Sequence, residues 1–403
     1  MPNPDLIVFD TSTLPEYYDD VHRILALPAG HVVTYDYSAD HISSPAEAVL
    51  RDFEPSDRIR AVLAYVQPKA YQKGDGAAAK DVLSDPTIQT LTRLAHIVAV
   101  RSSEVGERTR YYFDLELAGY PNDKKTTIAN DFVDTLRKLG EMPMKTYVAL
   151  LNSTDVGAMF AQNADDQGFS KVVTAMTQDG NQFSRDTFWR ITLIECRTKS
   201  LIPLWLTKPA TIMPKTAIEG EKRVSYLEVV DQSTLYFTIQ FQRGDEHGRD
   251  YRMRKVTVEG SPKAASDLIR SSFASRSFGQ EFVAVTIPAT SSLATQEVRI
   301  QFATQLHDDD EVKDYPYGPQ PAIRVRYRKD FARSAIAVVN ILLASMLFAW
   351  SALATSFATA VPIAGKIVAL EYRALFIGIG VLCSMYAYYL WSDDVALDKV
   401  RRT

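Results

Sequence analysis

A chain of 403 residues, 46% hydrophobic and 23% charged, has the apolar content to bury a core, which excludes wholesale disorder and predicts about two or three domains. Six of its 45 basic and four of its 49 acidic residues lie beyond Asp330, so the preceding body carries a net charge of −6 and offers no general footprint for nucleic acid. Cys196 and Cys383, far apart, exclude a disulfide framework and fit a reducing compartment, and the opening MPNPDLIVFDTSTLPEYYDD lacks the basic and apolar runs of a secretory signal.

In chain order, HVVTYDYS (31–38) reads as a strand. Ser44-Pro45-Ala46-Glu47 reads as an N-cap, a proline at the first helical position and a capping-box glutamate, opening a helix ahead of the apolar strand IRAVLAYVQ (59–67). QKGDGAAAKD (72–81) predicts an exposed loop, and DVLSDPTIQTLTRLAHIVAVR (81–101) a further helix and strand. RYYFDLEL (110–117) alternates as a strand, IANDFVDTLRKLG (128–140) is an amphipathic helix closed by Gly140, and KTYVALL (145–151) is a strand again. The periodic pattern weakens over 155–185, after which TFWRITLIECR (187–197) predicts a strong strand. LYFTIQF (235–241), a helix from Ser261-Pro262 through AASDLIRSSFAS, and EFVAVTI (281–287) repeat the order strand, helix, strand, with RDYRMRKVTVEG (249–260) as an inserted hairpin partner. The expected fold class is therefore α+β, a body of repeated strand-helix-strand units in two lobes, 1–160 and 161–304, with true duplication left open.

Residues 305–331 form an acidic tether and a basic stem. QLHDDDEVKDYPYGPQP has no core pattern, and its run Asp308, Asp309, Asp310, Glu311 lacks the glycine and spaced ligands of a calcium loop. AIRVRYRK puts Arg324, Arg326 and Arg328 on one face if extended, and with Lys329 and Arg333 that face is expected to contact anionic lipid.

The last segment, 332–403, predicts a transmembrane hairpin. Residues 334–365 are 32 consecutive positions without a charge and 374–392 another 19, and about 20 apolar residues cross roughly 30 Å of hydrocarbon. The spans are placed at about 332–356 and 372–391, turning at Pro362 and Gly365. Tyr386, Tyr388, Tyr389 and Trp391 form an interfacial aromatic end, and the basic residues outside the turn predict both termini in the cytosol, at the inner membrane. Small residues at four-residue spacing (Ser345 and Ala349, Ala374 and Gly378, Gly380 and Ser384) predict close helix packing within a hairpin or a homo-oligomer. Asn340, deep in the first span, is expected to bond to the neighbouring helix. With no charged residue along a path, one hairpin alone is neither channel nor transporter.

No catalytic pattern emerges. Six scattered histidines include no HExxH or His/Cys spacing, and phosphate-loop, dinucleotide and nucleophile-elbow signatures are absent, so no metal, cofactor or catalytic residue is assigned. The polar run from His31 to His41 reads as a strand entering a turn. Arg249, Arg252, Arg254 and Lys255, interleaved with Tyr251, are the candidate ligand-binding set, because guanidinium groups grip phosphate bidentately.

In architecture the large cytosolic body, tether and two-pass anchor resemble the two-pass membrane effectors of bacterial anti-phage defence systems, a likeness carried mainly by about the last 75 residues. The resemblance implies a body that senses a protein or small-molecule trigger and a hairpin that assembles and perturbs the bilayer. A passive scaffold that recruits a cytosolic partner, and a membrane-tethered enzyme without a linear motif, stay open beside it.

Overall fold

The computed structural model describes residues 5–11, 15–54, 56–68, 86–106, 108–121, 147–151, 160, 165–177, 183, 187–201, 207–243, 251–259, 265–275, 278–290, 292–306, 321–357 and 370–391. The predicted helix over 128–140, the loop over 72–81, most of the acidic tether, the Pro362–Gly365 turn and the last twelve residues lie outside them.

Three sheets and two long C-terminal helices make up a mixed α+β protein. The first sheet comprises β1 (Asp5–Thr11), β2 (Val32–Ser38), β3 (Ile59–Pro68), β4 (Pro86–Val105), β5 (Arg108–Leu117) and β6 (Val148–Leu151), in the order β2-β5-β4-β3-β1-β6. β1 and β3 run parallel, with Leu6 opposite Ala61, and the other pairs are antiparallel. Helices α1 (Pro15–Ala26) and α2 (Ser44–Arg51) bury Val21, Ile24 and Leu25 and then Ala46 and Leu50. The cap of α2 is shifted by one residue from the sequence reading. Ser43 accepts from the Ala46 amide, and Glu47 accepts from Arg51 and the Tyr111 hydroxyl instead of closing a capping box.

The predicted helix at the start of 81–101 is corrected where the residues are described: 86–105 is one strand, β4, pairing with β3 on one side and β5 on the other. Thr87, Ile88, Thr90 and Thr92 are β-branched residues that favour a pleated backbone. Breaks in register at Leu63/Ala64 and Ile97/Ala99 blur the period-two signal that would have announced the strand.

The second sheet has the order β12 (Tyr251–Glu259), β15 (Gln296–Leu306), β16 (Ala322–Arg328), β10 (Lys222–Val230) and β9 (Lys215–Glu219), with β10 and β16 parallel. The third is antiparallel: β13 (Ala265–Ser275), β14 (Phe278–Thr286), β11 (Thr234–Arg243), β7 (Thr187–Arg197) and β8 (Ala210–Thr211). Here the second helix reading is corrected, since AASDLIRSSFAS forms edge strand β13. Serine is a poor helix-interior residue, and two bulges, at Leu268/Arg270 and Phe273/Ser275, hide the strand's alternation. The later strand-helix-strand set is thus all strand. β12 also pairs with distant β15 and not with a sequence neighbour.

The second and third sheets pack face to face. Phe302 of β15 lies 5.2 Å from Phe237 of β11 and 6.1 Å from Trp189 of β7, ring to ring. The first sheet joins the same core, which runs from Leu6 and Phe113 through Leu227 to Val325. Polar pins cross the seam: the Val32 amide donates to Ser225 Oγ at 3.1 Å and the Arg223 amide to Asp114 Oδ2 at 2.8 Å. Asp114, fully buried, also accepts from Thr34 and Arg101, which satisfies a carboxylate that would otherwise be costly to desolvate. A third helix, α3 (Asp165–Met176), closes a smaller aromatic core with Tyr65, Tyr120, Phe183 and Phe188.

Helices α4 (Phe331–Phe357) and α5 (Leu370–Trp391) pack on each other as an apolar pair. Segments Phe331–Ala352 and Arg373–Trp391 are long and apolar enough to cross a membrane, with mean hydropathies of 2.0 and 1.6 and only 11% and 17% of their hydrophobic windows buried. A helix in a soluble core would be mostly covered. Here Val339, Leu342, Met346, Leu382 and Met385 face outward, all more than half exposed.

Candidate functional site

Both ends of the apolar pair converge on one turn of the body. β10 ends at Val230 and β11 starts at Thr234, and the Asp231-Gln232 turn between them projects toward the start of α4. The Asp231 amide donates to the Arg328 carbonyl at 2.9 Å. The Asp231 carboxylate accepts from the amides of Asp330 at 3.0 Å and Thr290 at 3.2 Å, so this side chain, only 6% exposed, ties three segments together.

Asp330 caps α4. Its carboxylate accepts from the Arg333 amide at 3.2 Å and its carbonyl from the Ser334 amide at 3.0 Å, placing a negative charge where the helix dipole favours one. Arg333, 3% exposed, turns back into the body instead of out to solvent. Its Nη1 donates to Gln232 Oε1 at 2.7 Å, its Nη2 to the Lys199 carbonyl at 3.2 Å, and it pairs with Asp330 at 3.3 Å. The planar fork of donors is what reaches three acceptors at once.

The far end of α5 closes the same junction. Gln232 Nε2 donates to the Trp391 carbonyl at 3.2 Å, Tyr386 Oη to the Leu201 carbonyl at 2.7 Å, and Tyr389 Oη to the Ser200 carbonyl at 3.1 Å. Lys199 Nζ lies 4.7 Å from the Tyr389 ring centroid, a cation–π distance. Gln232 therefore bonds to both helices through one amide group. It is also the one non-glycine residue with positive φ among the described residues, at 56°, a conformation that costs an L-residue about 1 kcal/mol or more.

The sequence-derived candidates distribute as follows. Arg324 and Arg326 sit on the polar face of β16, between buried Ile323, Val325 and Tyr327, and both pair with Glu219 and Glu297. Arg326 also lies 4.3 Å from the Tyr226 ring. Arg328 is exposed and Lys329 partly so. Tyr386 and Tyr389 dock on the body, whereas Tyr388 and Trp391 are 70% and 50% exposed. Asn340 donates to the Ile336 carbonyl of its own helix at 2.8 Å, not to the neighbouring helix, and Ser345 and Ser384 likewise bond back to Ile341 and Gly380. Gly380 abuts the Phe348 ring; Gly378 and Ala349 face outward. Arg249 and the side chains of Tyr251, Arg252, Arg254 and Lys255 lie outside the described residues, although the last four belong to edge strand β12.

No group of three or more His, Cys, Asp or Glu side chains that could hold a metal occurs among the described residues. The polar run after His31 is held by ordinary pairs, Asp36 with Arg110 and Asp40 with Arg108. The junction residues that sequence reasoning passed over are Lys199, Ser200, Leu201, Asp231, Gln232 and Asp330. Three of them had a signal: Asp330 directly precedes an apolar helix, and Asp231-Gln232 interrupts two strand-like runs. Comparison with protein-family models, with curated proteins and with solved structures yields no match.

Proposed function

We propose that the chain is a membrane-anchored sensor. Its body, in the cytosol with both chain termini, takes up a protein or small-molecule trigger; α4 and α5 span the inner membrane, associate in a homo-oligomer and perturb the bilayer. The single observation that carries this reading is the junction. A passive anchor needs only a length of chain between body and bilayer, yet here Gln232, Arg333, Tyr386 and Tyr389 bind both helices to loops of the core. A shift of the β10–β11 turn would move both helix ends together, which is the coupling a sensor requires.

The second reading, a scaffold whose hairpin only anchors, draws on the uncharged, outward-facing apolar surfaces of both helices. Induced expression in bacterial cells separates the two. Under the sensor reading the full chain depolarises the membrane and slows growth, while residues 1–330 alone, or the body fused to an unrelated two-helix hairpin, do neither. Equal behaviour of the full chain and the hairpin swap under the triggering condition would sink the effector reading and leave the scaffold.

A further inference from the structure

Beside the junction, on the polar face of the second sheet, β10 and the β15–β16 pair border an open groove of about 440 Å³ lined by Tyr226, Glu228, Thr295, Gln296, Glu297, Arg326 and Arg328. Its charges are nearly balanced by pairing. Glu219 and Glu297 are held by Arg324 and Arg326, and Glu228 by Lys215. Arg328, exposed, makes no salt bridge among the described residues, although its charge is felt at Glu228 and helps to lower that carboxylate's pKa. An exposed guanidinium outside the salt-bridge set, with neutral donors beside it, suits a monoanion, and a phosphodiester matches the fork of arginine.

The location decides which phosphodiester. Arg328 lies three residues before Phe331, the first residue of apolar α4, and its carbonyl is fixed by the Asp231 amide of the junction. The loop that supplies Thr295 also carries Leu293, 71% exposed, and Phe331 is 60% exposed. A groove with an exposed arginine, flanked by exposed apolar side chains at the root of an apolar helix, has the layering of a headgroup above acyl chains. We propose that this groove binds the headgroup of an anionic glycerophospholipid: the phosphodiester on Arg328, Thr295 and Gln296 as neutral donors, and Leu293 and Phe331 among the acyl chains. The inference rests on the membrane-spanning reading above.

The test uses the full chain in detergent, incubated with equal amounts of phosphatidylglycerol and phosphatidylcholine of the same acyl chains, with retained lipid read by native mass spectrometry. The wild type should keep phosphatidylglycerol several-fold over phosphatidylcholine; Arg328→Gln should abolish the preference, and Arg108→Gln, an exposed arginine on the first sheet, should leave it intact. A wild type without preference, or one whose preference survives Arg328→Gln, overturns the proposal. Displacement of the lipid by excess glycerol phosphate would overturn it in favour of a soluble phosphate ester. Alkaline extraction of vesicles keeps the two levels apart. A chain washed off the vesicles defeats the membrane reading itself, whereas a chain that stays but shows no lipid preference defeats the groove alone.

Discussion

Arg333 and Gln232, 101 positions apart in sequence, are joined at 2.7 Å by a hydrogen bond from a buried guanidinium to an amide held in a left-handed turn. The bond matters because the same amide reaches Trp391 with its nitrogen, so one side chain spans the entry of the first apolar helix and the exit of the second. A residue with an unfavourable φ thus holds both helices to the body.

Two substitutions at Gln232 should separate strain from bonding. Gln232→Ala removes both side-chain bonds and keeps the unfavourable φ, for an expected loss of about 1–3 kcal/mol. Gln232→Gly removes the same bonds but relieves the backbone, and should recover about 1 kcal/mol of that loss. Thermal melts of the two variants in one detergent decide it; alanine melting at or above glycine would mean that the turn is not strained.

Arg333 should not be replaceable by lysine. Arg333→Lys keeps the charge but a single ammonium cannot reach Gln232, the Lys199 carbonyl and Asp330 together, so it should cost about 2–3 kcal/mol and expose the 197–201 loop to protease. Arg333→Met should cost more, by leaving the Asp330 carboxylate without its buried cation. Wild-type protease resistance in the lysine variant would show that the charge alone suffices.

Within the hairpin, two glycines only two residues apart in sequence meet different surroundings. A Cβ at Gly380 would stand 3.1 Å from the Phe348 ring, whereas one at Gly378 would meet nothing within 4 Å. Gly378→Ala should therefore raise the melting temperature through helix propensity, worth about 1 kcal/mol, and Gly380→Ala should show no such gain. Combining Gly380→Ala with Phe348→Leu should restore it. Equal gains at both positions would contradict the packing of α5 on α4.

How far the sequence foretold this structure follows from where its signals are local. The hydropathy of 331–357 and 370–391 needs no partner to be recognised, and strands such as 187–197 and 235–241 carry their own alternation. Strand β13 does not: it is an edge whose serines and two bulges mimic a helical pattern, and only its pairing to β14 reveals it. Strands β1, β9, β10 and β15 escaped because they are short or interleaved with charges that pair only across the sheet, as Glu219 and Glu297 do with Arg324 and Arg326. Arg333 shows the same limit at the junction. In sequence it belongs to a basic stem facing lipid; its burial depends on a turn a hundred residues earlier, which no window around it contains.

His31 supplies a pH test of the core where the first and second sheets meet. It is 8% exposed, its carbonyl accepts from the Leu117 amide, and burial first, then the positive charges of Arg23, Arg324 and Arg93, push its imidazole down to about 3. The unfolded chain would bind a proton near 6.5, so the folded state binds fewer protons between those values and its stability falls as pH falls. The contribution is fully present above 6.5 and is lost progressively toward 3. Between pH 7 and pH 4.5 it amounts to about 2–3 kcal/mol. His31→Gln, which cannot titrate, should lose that much less stability than the wild type over the same interval when both full chains are denatured chemically in the same micelles. If the two pH slopes coincide, His31 is protonated without unfolding, and the seam between the sheets is wetter than its burial implies.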